Sequence, residues 1–194
     1  MSTENNAVTF SAVFLAKIPP ADSKISQLAE WGNNFHALGL VQGMEGNLSF
    51  RTRLGFMITG TGVALNTLSA ETVSEVTGVV YGLNRTSVYI KGQVVPSRET
   101  ILHSQIYEER SDINAIFHVH DSLVMNKAEK LGVLVTTAEK EAGSQDLAQE
   151  AINLLKFNKD TRYFVLKNHG VIALGASMDE AGKLIEEMRR KVVK

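Results

Sequence analysis

A change of texture along the chain constrains the fold more than any other feature. Across residues 47–95 short apolar runs alternate with Gly, Asn and Ser, whereas the flanking stretches repeat their apolar residues at helical spacing. Within that region 48–51, 56–59, 75–81 and 87–90 read as strands. Before it, Ile25, Leu28, Ala29, Phe35 and Leu38 mark a helix from Ser23 that stops at Gly39. After it, Pro96 and Ser97 open a helix over 99–109 with Leu102 and Ile106 on its buried stripe. A short apolar run at 115–119, a helix over 122–131, a strand at 133–136 and a helix over 144–155 follow. Residues 163–166 and 171–174 pair as a hairpin through 167–170, and 178–193 forms a last helix. On that helix Ala181, Leu184, Ile185, Met188 and Val192 make one stripe, with Glu186/Arg190 and Glu187/Lys191 as ion pairs. The pattern predicts one mixed α/β domain over 23–194. An N-terminal extension, 1–22, precedes it; its 7–18 segment, closed by Pro19 and Pro20, reads as a peripheral strand or loop.

Composition excludes several function classes. At 194 residues a single domain can bury a sizeable core. Twenty Lys and Arg against 21 Asp and Glu leave a net charge of −1, which gives no electrostatic reason to bind nucleic acid or an anionic membrane. No apolar run approaches the roughly 20 residues of a spanning helix. The polar, acidic start at 1–6 lacks the basic and apolar regions of a signal peptide, so a cytoplasmic protein is expected. The chain has no Cys and five His, so a transition metal must be held by imidazole and carboxylate.

His118 and His120 are two apart at the end of a predicted strand, so both imidazoles point to one face. His169 lies in the turn before Gly170 and, taken alone, reads better as a polar turn residue than as a ligand. Glu99 adds a carboxylate at a helix start. Three His and one carboxylate form a full tetrahedral set, or an open one if the carboxylate swings away and becomes a proton carrier. Glu99 and His103, four apart on one helical face, form an alternative metal pair; otherwise His103 packs or supports. His36, late in the first helix, reads as a partly exposed structural residue.

Two glycine-rich turns, Gly43-Met44-Glu45-Gly46-Asn47 and Thr59-Gly60-Thr61-Gly62, let backbone N–H groups approach an anion, and Thr and Asn add side-chain donors. Ser97 and Arg98 add a hydroxyl, a charge and a helix N-terminus. Such turns are also common as plain strand connections. No Walker or dinucleotide fingerprint is present, which argues against ATP or NAD.

Taken in order, Gly46-Asn47, Thr59-x-Thr61-Gly62, Pro96-Ser97-x-Glu99, His118-x-His120 and Asn168-His169-Gly170 resemble the class II aldolase/adducin family from about Ser23 to the last helix. The resemblance implies a three-layer α/β/α fold around a mostly antiparallel sheet, assembled as a homotetramer with sites at subunit interfaces. It also implies a divalent metal, usually zinc, on His118, His120 and His169, with Glu99 as acid/base and as a further ligand when no substrate is bound. Gly46, Asn47, Thr61, Gly62 and Ser97 match positions that hold a substrate phosphate.

Four departures qualify the match. Met44 stands where the family commonly has Thr, and Arg98 replaces the second Ser before the catalytic Glu. Between His120 and His169 the only Tyr is Tyr163, inside a predicted strand, whereas sugar-phosphate aldolases of the family use a Tyr there as a second acid. The sequence also ends soon after its last helix, without an aromatic tail. The expected activity is therefore metal-dependent retro-aldol cleavage of a small anionic substrate, a sugar phosphate or a hydroxy-keto acid, with Arg98 reading the anion or pairing at the surface. Epimerisation or dehydration on the same centre, and a non-catalytic adducin-like interaction module, are the alternatives.

Overall fold

Side-chain alternation in the central strands divides the apolar residues between two cores. The computed structural model describes residues 9–82 and 85–193. In chain order its strands and helices are β1 (Phe10–Ala16), α1 (Ile25–Ala37), β2 (Asn47–Arg51), β3 (Phe56–Thr59), β4 (Val73–Tyr81) and β5 (Thr86–Gly92). There follow α2 (Thr100–Glu109), β6 (Ala115–Val119), α3 (Ser122–Met125), β7 (Leu134–Val135), α4 (Gln145–Phe157), β8 (Tyr163–Leu166), β9 (Gly170–Gly175) and α5 (Met178–Val193). Along β6, Ala115, Phe117 and Val119 enter the first core and Ile116 the second; along β9, Val171 and Ala173 part from Ile172 and Leu174 in the same way. Helices α1, α3 and α5 cover the first face, and α2 and α4 the second. Three layers result, α/β/α, because a sheet apolar on both faces must be covered on both.

The described strands form one sheet in the order β1-β5-β4-β3-β2-β6-β9-β8-β7. The two outermost pairings, β1·β5 and β7·β8, are parallel, and every pairing between them is antiparallel. The segment expected as an extension contributes the edge strand β1, because Phe10, Ala12 and Phe14 pack into the second core. The 7–18 segment is thus a peripheral strand rather than a loop, while residues 1–8 lie outside the described residues.

The expected 122–131 helix is shorter than its sequence pattern. Only 122–125 is α-helical, and hydrogen-bonded turns carry the chain on to Gly132, which has φ +65°. Val124 and Ala128 are its only buried side chains, too narrow a stripe to hold two more helical turns against the core. On α5, Glu187 pairs with Lys191 at 2.8 Å, whereas Glu186 accepts from Asn34 Nδ2 and so joins α5 to α1.

Candidate metal centre

The four central strands β3, β2, β6 and β9 place their adjoining ends together at one edge of the sheet. Asn47 opens β2 and lies opposite His118 near the end of β6. Gly170 opens β9 one residue before Val171, the partner of Val119, so the preceding turn carries His169 just past the end of β6. In that turn Asn168 adopts φ +56°, a conformation Asn tolerates, and His169 N donates to Leu166 O. Gly170 answers a packing constraint. A Cβ there would lie 2.5 Å from His118 Cε1 and 2.8 Å from Val119 O. Glu99 sits at the N-cap of α2, on the sheet face that His118 shares with Asn47 and Ser49.

These elements bring the three imidazoles and the carboxylate together. The ligand atoms of His118, His120 and His169 all lie within 4.8 Å of one another. His118 Nε2 is 3.1 Å from His120 Nε2 and 3.3 Å from Glu99 Oε2, while His169 Nε2 is 3.1 Å from Glu99 Oε1. His118 Nδ1 lies 3.0 Å from Val171 O, and a carbonyl only accepts, so Nδ1 carries the proton and Nε2 presents its lone pair. That lone pair faces a carboxylate oxygen, and Glu99 Oε1 is buried with no hydrogen-bond partner despite the nearby His169. Electron-rich atoms at this separation call for a cation among them. A tetrahedral site with nitrogen bonds of about 2.0–2.1 Å sets neighbouring ligand atoms roughly 3.3 Å apart, close to the His118–His120, His118–Glu99 and His169–Glu99 contacts. The residues fit a divalent transition metal.

Protons are a poor substitute. Burial depresses His118 to about 3, although Glu99 pulls upward. Burial raises the Glu99 carboxyl, but His118, His169 and the Asn47 amide together outweigh it and hold the group at about 2. At neutral pH the site presents neutral His118 and ionised Glu99.

Glu99, His118, His120, His169, Arg98 and the five positions matched to phosphate binding all line one cavity of about 460 Å³. Within it they are not equally free to meet a substrate. Asn47 Nδ2 donates to Glu99 Oε2 at 2.7 Å, and Thr61 Oγ1 donates to Pro96 O at 2.8 Å. Ser97 Oγ accepts from Glu99 N, which fixes the entry to α2. Gly62, at φ +72°, has the Met44 thioether over it: a Cβ there would meet Met44 Sδ at 3.6 Å. Glu45 and Ala142 also line the cavity; Glu45 Oε2 lies 3.8 Å from His120 Nδ1, a contact that loop folding creates and no spacing announces.

Three other residues weighed from sequence take other places. His103 does not line the cavity. Its Nδ1 lies 2.7 Å from Ser49 Oγ, which in turn lies 2.8 Å from the Tyr107 hydroxyl, and burial lowers the ring to about 4. Tyr163 belongs to the core under α5, where burial and then Asp121 raise its hydroxyl pKa, so it is not an acid facing this cavity. His36 is exposed on α1.

Fold and site together define a class: a three-layer α/β protein whose central strand ends hold three imidazoles and one carboxylate in a single cavity. The family model described as class II aldolase and adducin N-terminal domain matches residues 26–192, and the chain belongs to that family. An L-fuculose phosphate aldolase of Methanocaldococcus jannaschii is 31% identical over 165 residues, covering 78% of this chain and 83% of its own. A 3-oxo-tetronate 4-phosphate decarboxylase of Haemophilus influenzae is 27% identical over 183 residues, covering 83% and 81%. Among solved structures, an L-fuculose 1-phosphate aldolase superposes with a TM-score of 0.72 at 25% identity, covering 89% of this chain and 85% of that one.

Proposed function

We propose that this protein is a divalent-metal-dependent aldehyde-lyase that cleaves a carbon–carbon bond in a small anionic substrate by retro-aldol chemistry. The observation that carries the reading is the Glu99 carboxylate, buried between His118 and His169 in the same cavity as the glycine turns and Arg98. His118, His120 and His169 hold the ion, with zinc the first choice for an imidazole and carboxylate set. When bound, such an ion supplies Lewis-acid polarisation of a carbonyl. With an ion in place Glu99 would be a further ligand when no substrate is bound, and it carries the proton exchanged when the carbon–carbon bond breaks. Asn47 orients that carboxylate, and Arg98 pairs with the substrate's anionic group.

The substrate is a sugar phosphate or a hydroxy-keto acid. Asn47 and Thr61 already spend side-chain donors on protein acceptors, and Met44 covers Gly62, which together favour the smaller, flatter carboxylate. Resemblance to the family supports a homotetramer in the cytoplasm with sites at subunit interfaces. Exposed Val13, Leu15 and Val80 on the β1 and β4 strands offer apolar surface for such contacts. No helix among the described residues is long and apolar enough to cross a membrane.

A second reading, decarboxylation of a 3-oxo acid on the same centre, draws on the name of the Haemophilus relative. Zinc-loaded protein incubated with a panel of sugar phosphates and hydroxy-keto acids separates the two. Aldehyde release lost in Glu99→Gln, by roughly 10²–10⁴ in rate, supports the lyase. Carbon dioxide release without aldehyde supports the decarboxylase, and neither product from any substrate contradicts both.

A further inference from the structure

The three imidazoles are held in different ways. His118 lies inside β6 with strands on both sides, opposite Asn47 and Ile172. His169 is fixed by a tight hairpin turn. His120 lies one residue past the end of β6, where the chain leaves the sheet for α3 and its backbone N donates to Leu40 O. It is also the most open of the three, with its side chain 30% exposed. What pins this corner is the next residue. The Asp121 side chain is fully buried; its Oδ1 accepts from Leu123 N and Val124 N, capping α3, and from Arg189 Nη1 at 2.7 Å. Arg189 lies on α5, and Lys127 Nζ makes a second tie from the α3 side to Val192 O at 2.9 Å.

We infer that the Asp121–Arg189 ion pair is the device that positions His120 for metal, so the last helix sets how tightly the third imidazole is held. The inference rests on the metal reading of the site. A charged pair with one partner fully buried is strongly directional, and removing Arg189 leaves a buried carboxylate short of its cation. Asp121 then keeps only its α3 cap, and the corner that joins it to His120 loses its tie to α5. Arg189 and Asp121 are positioning residues. Neither lines the cavity. Supporting groups of this kind typically change metal affinity by about 10–100-fold when lost.

The test measures zinc affinity by chelator competition, and the cobalt absorption spectrum, on wild type, Arg189→Met, Arg189→Lys and Asp121→Asn. Wild type that binds both ions while Arg189→Met loses about tenfold or more in zinc affinity, with a changed cobalt spectrum, is the expected result. Arg189→Lys should restore most of the loss. Asp121→Asn retains a cap acceptor and should reproduce the Arg189→Met defect, and the double variant should be no weaker than either single. Should Arg189→Met not fold, Asp121→Asn alone decides. Affinities within twofold of wild type and an unchanged cobalt spectrum, or a defect confined to the melting temperature of the metal-free protein, overturn the inference and leave the metal reading standing. Wild type that takes up neither ion overturns both.

Discussion

Asn47 donates its side-chain amide to Glu99 Oε2 across 2.7 Å, so the residue opposite His118 in the sheet also holds the carboxylate that faces His118. Asn47→Ala releases that carboxylate. The expected effect is a fall in kcat of roughly tenfold with little change in KM, because a misplaced proton carrier slows the step without weakening substrate binding. Steady-state kinetics check it. A rise in KM at unchanged kcat would return Asn47 to the substrate-binding role that family resemblance implies.

Gly170→Ala tests whether the hairpin glycine exists to make room for an imidazole. The added methyl meets His118 Cε1 and Val119 O, both below ordinary contact distance, and neither neighbour can move without disturbing β6. Overpacking of this kind costs about 1–3 kcal/mol. Denaturant unfolding should show that loss, and metal content should fall with it. Stability and metal content equal to wild type would mean that the turn has slack.

The buried ionisable groups give the metal-free protein a definite pH dependence. His103 and His118 sit at about 4 and about 3, both depressed chiefly by burial, against an ordinary value near 6.5. As pH falls below that ordinary value the unfolded chain takes up protons that the native chain refuses, so stability drops with falling pH. Each group contributes up to roughly 1.4 kcal/mol per pH unit across its window. Glu99, held at about 2, has the same sign over the lower range between its ordinary value and 2. Urea unfolding from pH 7 to pH 4 should show the decline, with a shallower slope in His103→Gln. A flat profile contradicts the burial argument.

Arg98 lines the cavity beside Ser97 and Glu99, with Gly143 pressed against its backbone. Arg98→Ala should raise KM steeply and abolish inhibition by competing anions such as phosphate and acetate. If both stay at wild-type values, Arg98 is a surface residue, and a surface pair is worth only about 0–1 kcal/mol.

Much of the fold was legible because the chain changes period where its structure changes. Strand β6 and the β8–β9 pair follow from apolar runs bounded by polar turns, and α4 and α5 from continuous stripes. The convergence of Glu99 with His118, His120 and His169 was legible from strand alternation and motif order together. Features that depend on chain crossings left no such mark. The capture of β1 by β5 joins segments far apart in sequence, and nothing in the weak alternation of 7–18 specifies a partner. Glu45 meets His120, and Asp121 meets Arg189, only once loop and helix fold over them, so no spacing in the sequence marks either contact. Tyr163 could be placed on a strand, but which of its faces points away from the cavity was set by register with β9.

The most direct test of the account is the metal content of purified protein, measured by elemental analysis alongside His118→Ala, His120→Ala, His169→Ala and His103→Ala. The account predicts about one zinc-like divalent ion per chain, most of it lost in each of the first three variants and retained in His103→Ala, whose ring faces Ser49. Metal-free wild type after growth and purification with zinc, or full metal content in all three histidine variants, would contradict it.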